Sequence, residues 1–320
     1  MKKRGLSILI ALFMVAIIGV IIADYVSQQP DKLGNNPYEY NVDEYRAVDP
    51  ALITYRETKN FPVRGYKAEG MDIRDGVIWL TGNEVLQAVT TEGVQLMKTV
   101  IDGTGTCIHA TEEAVFIGFG DHVRKYSKEG ELIAAWEVPG EKCVFTSLAA
   151  NDQMLYVADA GSRRVLRYSF DGELLGEFEG KSEGAAGHGF IIPSGCFDLV
   201  VNSYDELWVV NTGKHAIENY SNDGKMRGFW QKGSMKIDGF AGCCNPAELA
   251  VLSDGSFVTS EKGLVRIKVY DSSGELQGVV AAPEKFVEDG KAPEVAVDDH
   301  DVIYALDFDK SMIRVFEKKL

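Results

Sequence analysis

Five cysteines are the residues of this chain best suited to chemistry: Cys107, Cys143, Cys196, Cys243 and Cys244. A thiolate is both a nucleophile and a ligand for soft metals. Cys243 and Cys244 stand side by side in GFAGCCNP, residues 239 to 246, a placement that packing alone rarely requires. Three readings of the pair are open: a strained vicinal disulfide, a bond from one of the two to Cys196, or a soft metal such as zinc or Cu(I) held together with His215. The spacing matches no standard zinc pattern. An odd number of thiols leaves at least one unpaired, bound to something else, or bonded to another chain. For Cys107 and Cys143 the plainer reading is a small apolar residue filling a tight space.

The elements that must position these thiols come from an internal repeat. LYVADAGSRRVLRYSFDGELLGEF, from Leu155 to Phe178, aligns with stretches beginning at Val77, Val115, Leu207, Ser256 and Ile303. An aromatic near the start of each forms the ladder Trp79, Phe116, Tyr156, Trp208, Phe257 and Tyr304, in steps of 37, 40, 52, 49 and 47 residues. Gly93, Gly130, Gly172, Gly224 and Gly274 follow their aromatics by 14 to 17 residues and mark hairpin turns between apolar runs. A period of this length suits one four-stranded blade of a β-propeller. The fold expected is all-β, a six-bladed propeller preceded by an N-terminal transmembrane helix.

The sixth unit holds three strands where a blade needs four. The segment ALITYRETKNFPVRG, Ala51 to Gly65, has strand-like residues and no hairpin partner, so it is expected to supply the missing strand and close the ring. The domain expectation is then an anchor over 1–23, a linker over 24–50 and the propeller over 51–320.

The unit also resembles the NHL repeat, in which an apolar strand and a turn lead to a pattern like YVAD and then R-V. Asp159, Arg164 and Val165 fit best, while Asn211 with Ile217 and Asp307 with Ile313 fit in part because Ala216 and Met312 occupy the arginine position. The resemblance implies a six-bladed propeller acting through its loops. Some relatives of NHL proteins are metal-dependent lyases or lactonases built on six blades, but their ligand residues find no one-to-one match here.

In a meandering blade, the connections leading into innermost strands emerge on one face together with the turns between the two middle strands. All five cysteines fall in or beside the connections into innermost strands, 9, 13, 12, 14 and 13 residues before the next aromatic. His109 and His188 are expected in connections of the same kind. The same face should carry NTGKH, GSMKIDGF, SEKGL and DFDKS, giving a candidate partner-binding face of Asn211, Lys214, His215, Lys236, Glu261, Lys262, Asp307 and Lys310. Cys196, Cys243, Cys244 and His215 form the candidate metal or disulfide cluster at that mouth.

At the N-terminus, Lys2-Lys3-Arg4 precedes the uncharged run Leu6 to Ala23. Eighteen helical residues cover roughly 27 Å, close to the ~30 Å hydrocarbon core of a bilayer. Ile21-Ile22-Ala23 is a poor cleavage site, and the positive flank places Met1 in the cytoplasm and the rest outside, in the periplasm of a Gram-negative cell. A formal net charge of −15 disfavours nucleic acid as a partner. No nucleophile elbow, HExxH, phosphate loop or dinucleotide fingerprint is present. The reading is a membrane-anchored extracytoplasmic binding or assembly module with a protein partner at the membrane, an accessory subunit of a membrane or redox complex. The alternative is a metal-dependent lyase- or lactonase-like enzyme with its site at the cysteine-bearing mouth.

Overall fold

A computed structural model describes residues 2–28, 42–181 and 189–319. It divides into two units, Met1–Val42 and Asp43–Leu320. Among its described residues the first holds the helix Lys2–Gln28, whose residues 12–24 are exposed. Among the described residues no helix is long and apolar enough to cross a membrane. The side chains of residues 6–11, part of the expected span, lie outside the described ones.

The second unit contains six antiparallel sheets, five of four strands and one of three. Their innermost strands, Ala68–Arg74, Cys107–Ala110, Phe145–Ala150, Leu199–Val201, Glu248–Val251 and Glu294–Val297, are neighbours in sequence order around an axis, and the last returns to the first. This is a six-bladed propeller. In the three-stranded blade one long strand, Val77–Thr90, serves two neighbours: residues 77–82 pair with Ala68–Arg74 and residues 83–89 with Gln95–Thr104. Glu84, at φ 54°, sits at the bulge between Asn83 and Val85, near the start of the second half.

Burial explains why these sequences become these strands. The middle strands Leu155–Asp159, Phe257–Glu261 and Ile303–Asp307 are buried at every position, because a blade inside the stack has a neighbour on both faces. Outer strands such as Met226–Gln231 alternate between half-buried and exposed. Most of the buried apolar residues described fall into six clusters, each lying between two adjacent blades. A single blade therefore has no core of its own, and stacking supplies it.

The hairpin glycines do two things at once. Gly172 has φ 91° and Gly274 has φ 87°, where L side chains are strained. A Cβ at Gly172 would come within 2.4 Å of Trp136, and one at Gly274 within 2.6 Å of Trp230. Both rings belong to the outer strand region of the preceding blade, so the turn is also a flat seat for its neighbour's aromatic.

The ring closes as expected. Tyr55–Pro62 pairs antiparallel with Met312–Lys318, completing the sixth blade with a strand from the other end of the sequence. Arg314 locks the joint, with Nη2 2.7 Å from Glu57 Oε2.

Candidate functional site

The motif residues that carry the NHL resemblance turn out to be structural. Asp159 is fully buried; its carboxylate accepts from the backbone N–H of Val144 at 2.9 Å and from Arg164 Nε at 2.9 Å. Asn211 repeats the first bond by accepting from Ile191 N–H at 2.9 Å, and Glu261 by accepting from Ala241 N–H at 3.0 Å. In each of these blades the side chain at the end of a middle strand ties down the connection leading into the innermost strand. Glu261 also holds Arg266 and Lys268, each at 2.7 Å, and all three are fully buried. Burial lowers the Lys268 pKa to about 8, against the raising charge of Glu261. Asp307 meets Arg314 at 3.3 Å, so in the sixth blade an arginine two places beyond Met312 fills the role that Met312 cannot.

Three members of the expected binding face, Asn211, Glu261 and Asp307, are placed almost wholly below the surface, where their hydrogen bonds and ion pairs hold loops in place. The other five stay near the surface. Lys214 lies 3.5 Å from Glu218, Lys236 lends its carbonyl to Arg266, and Lys310 donates to the carbonyl of Lys285. Lys262 donates to Ser194 at 3.2 Å, and His215 Nδ1 lies 2.9 Å from the carbonyl of Asn245.

The five thiols separate into two pairs and the lone Cys196, and all five are free. Cys107 is buried against Gly118, and burial pushes its pKa up to about 12. Cys143 is buried beside the Asp159–Arg164 clamp, where Arg164 donates to its sulfur at 3.5 Å. Both are packed groups. Cys243 and Cys244 do converge, with sulfurs 3.3 Å apart, Cys243 exposed and Cys244 buried. Cys196 is half-buried and forms no hydrogen bond with them among the described residues. Among the described residues no three of His, Cys, Asp and Glu gather in a way that could hold a metal ion. His188 lies outside the described residues.

The axis itself is a polar channel with a cavity of about 200 Å³. Asp198, Glu248 and Glu294, at the starts of three successive innermost strands, project into it. Asp198 accepts from the N–H of Leu199 at 2.8 Å and from that of Leu249 at 2.5 Å, stitching two blades together. Burial still pushes its pKa up to about 6. Burial, then the charges of Asp198 and Glu294, raise Glu248 well above the usual carboxylate range; burial and Asp198 do the same to Glu294. Among the described residues Glu294 Oε2 has no hydrogen-bond partner. Burial, and for Glu248 and Glu294 the neighbouring acid charges, disfavour the ionised forms.

On the face opposite the cysteines the channel opens into a basin of about 900 Å³. The turns after the innermost strands of three successive blades form its wall, with Glu112, Glu113, Asp152, Tyr204, Asp205 and, from the blade before them, Arg74. His109 corrects a further expectation. It lies within the strand Cys107–Ala110, not in a connection, and borders both channel and basin. Its Nδ1 is 3.1 Å from Asp72 of the adjacent blade, and that carboxylate is fixed by the N–H groups of Ile73 and Ala110, each at 2.8 Å. No sequence spacing pointed to this dyad, which forms only when two blades meet.

The architecture defines a six-bladed β-propeller with a polar axis and one broad open mouth. No family model matches the chain, and no curated protein matches it. Many solved structures share its fold. A streptogramin B lyase superimposes with a TM-score of 0.58 at 12% identity, covering 85% of this chain and 100% of its own. A protein of unknown function from Bacteroides thetaiotaomicron gives 0.59 at 12% identity, over 82% of this chain and 72% of its own. The Pan2 WD40 domain of Neurospora crassa gives 0.55 at 10% identity, over 84% and 97%. At these identities the likeness is one of fold.

Proposed function

We propose that this chain is a binding propeller of the NHL kind, anchored to a membrane by its N-terminal helix with the blades outside the cytoplasm, and that it seats a segment of a protein partner in the basin. The basin carries the reading. It is broad, it is walled by turns on a rigid ring, and its lining is polar where a pocket for an apolar small molecule would be greasy. Glu112, Glu113, Asp152 and Asp205 outnumber Arg74 and Lys125 along its wall, and the chain carries a net charge of −15. That field favours a cationic segment and speeds its approach.

The test is capture of partners from native membranes by the full-length protein in mild detergent, repeated with Asp152→Lys/Asp205→Lys and, on the other face, with Lys236→Glu. A partner that is lost with the basin variant and kept with Lys236→Glu supports the seat. Capture unaffected by the basin variant overturns it. External protease on spheroplasts tests the orientation: residues beyond the helix should be cleaved while the first few stay protected, and a fully protected propeller refutes the anchor.

The Asp72–His109 dyad favours a second reading, a lyase-like enzyme working at the channel mouth. A histidine held by a carboxylate is poised as a general base. Conversion of a streptogramin B by the purified chain, followed by mass spectrometry and lost in His109→Asn, would support it, and no conversion by the intact protein would count against it.

A further inference from the structure

We propose that Cys243 and Cys244 form a redox-active dithiol that exchanges with small disulfides and closes to a vicinal disulfide, a site independent of the basin and on the opposite face. The geometry divides the labour. Cys243 is exposed and can meet a disulfide from solvent; Cys244 is buried behind it with its sulfur 3.3 Å away. Behind Cys244 stand Ser194 and Lys262, joined to each other by a bond from the Lys262 ammonium to the Ser194 hydroxyl at 3.2 Å. A hydroxyl donor and a cation beside a sulfur favour its thiolate. Burial opposes ionisation of Cys244, yet hydrogen bonds from Ser194 and Cys243 and the charge of Lys262 outweigh it and bring its pKa below the usual thiol value. The bond it receives raises the pKa of Cys243 in turn.

The loop is held firmly while the sulfurs react. Asn245 donates to the carbonyls of Ala241 at 2.6 Å and Lys262 at 3.1 Å, and accepts from the Lys262 N–H at 2.9 Å. Its own carbonyl meets His215 Nδ1 at 2.9 Å. His215, one of the expected ligands, is therefore a brace for the loop.

In the first step the Cys243 thiol releases its proton and the sulfur attacks one sulfur of RSSR; the S–S bond breaks and RS⁻ leaves, taking up a proton as RSH. In the second step the Cys244 thiolate attacks Cys243, breaks the mixed disulfide and expels a second RS⁻, which takes up the proton that Cys244 released on ionising. The protein loses two electrons and two protons, and the external disulfide gains them. The sulfurs need close only from 3.3 Å to about 2.05 Å.

The experiment treats the full-length protein with oxidised glutathione, quenches with an alkylating agent, and maps the peptide carrying residues 243 and 244 by mass spectrometry. The expected product is that peptide about 2 Da lighter than its dithiol form, with no retained glutathione. Cys244→Ser should trap glutathione on Cys243, and Lys262→Gln should slow adduct loss by roughly tenfold while the fold, checked by circular dichroism, is unchanged. A stable adduct on Cys243 of the unaltered protein overturns the proposal. So does an unmodified pair, a bond from either cysteine to Cys196, or adduct loss as fast in Lys262→Gln as in the unaltered protein.

Discussion

Adjacent residues at the end of one strand are expected to behave in opposite ways. Glu261 is buried with Arg266 and Lys268, and Glu261→Gln removes the anion that the two buried cations share. Breaking such a group costs about 3–5 kcal/mol, which chemical denaturation of the propeller should register as a marked fall in midpoint. Lys262→Gln, one residue on, should leave the midpoint within about 0.5 kcal/mol of its starting value because its side chain is near the surface. Sequence could not separate the two. SEKGL reads as a charged loop, and nothing in it shows that the partner N–H of Glu261 belongs to Ala241, in the connection before the strand. The channel acids were closer to legible. Asp198, Glu248 and Glu294 each introduce a short apolar strand, in FDLVV, AELAVL and PEVAV, so aligning the innermost strands would have placed them at one level.

At the scale of the strand and turn, legibility was highest because the instructions are local. An acidic residue or serine followed by glycine between apolar runs makes a hairpin wherever it stands, and the aromatic ladder marked the middle strands. The dyad of Asp72 and His109 was hidden because it belongs to two blades. Two predictions belong here. Gly274→Ala combines a left-handed backbone with a Cβ 2.6 Å from Trp230, and should cost roughly 1–3 kcal/mol, seen as a lower denaturant midpoint. Removing Tyr55–Pro62 should do far more: a propeller starting at Lys67 loses the outer strand of its sixth blade and the Glu57 partner of Arg314. Broad, early melting and aggregation are expected; a melt superimposable on that of the longer chain would show that closure contributes little.

For the molecule as a whole, the polar axis sets the dependence of stability on pH. Asp198, at about 6, and the raised Glu248 and Glu294 bind protons in the folded state at pH values where the unfolded chain has released them. Stability from these groups is therefore fully present at low pH and falls as pH rises from about 4 through the folded pKa values. Glu57 and Glu261, held low by Arg314 and by Lys268 with Arg266 once burial is outweighed, act with the opposite sign and lose stability as pH drops below about 4. Thermal melts should peak where the two trends meet, near pH 4, and decline from there toward neutral pH. Glu248→Gln and Glu294→Gln should flatten the decline toward pH 8 and raise Tm there by about 2–4 °C each. A Tm that climbs steadily from pH 5 to 8 would show the acids to be ionised without penalty.

The closing pair of strands also makes the propeller a structure that stays open until residues 312–318 have been made. Residues 55–62 leave the ribosome about 250 residues before their partner, 312–318. At roughly 5–20 residues per second, that is a wait of about 12 to 50 s. Throughout it, strand 55–62 has no ladder to join and the growing stack keeps an unpaired edge. Synthesis speed and the shelter given to a nascent chain thus bear on this protein more heavily than on a fold whose neighbours in space are neighbours in sequence.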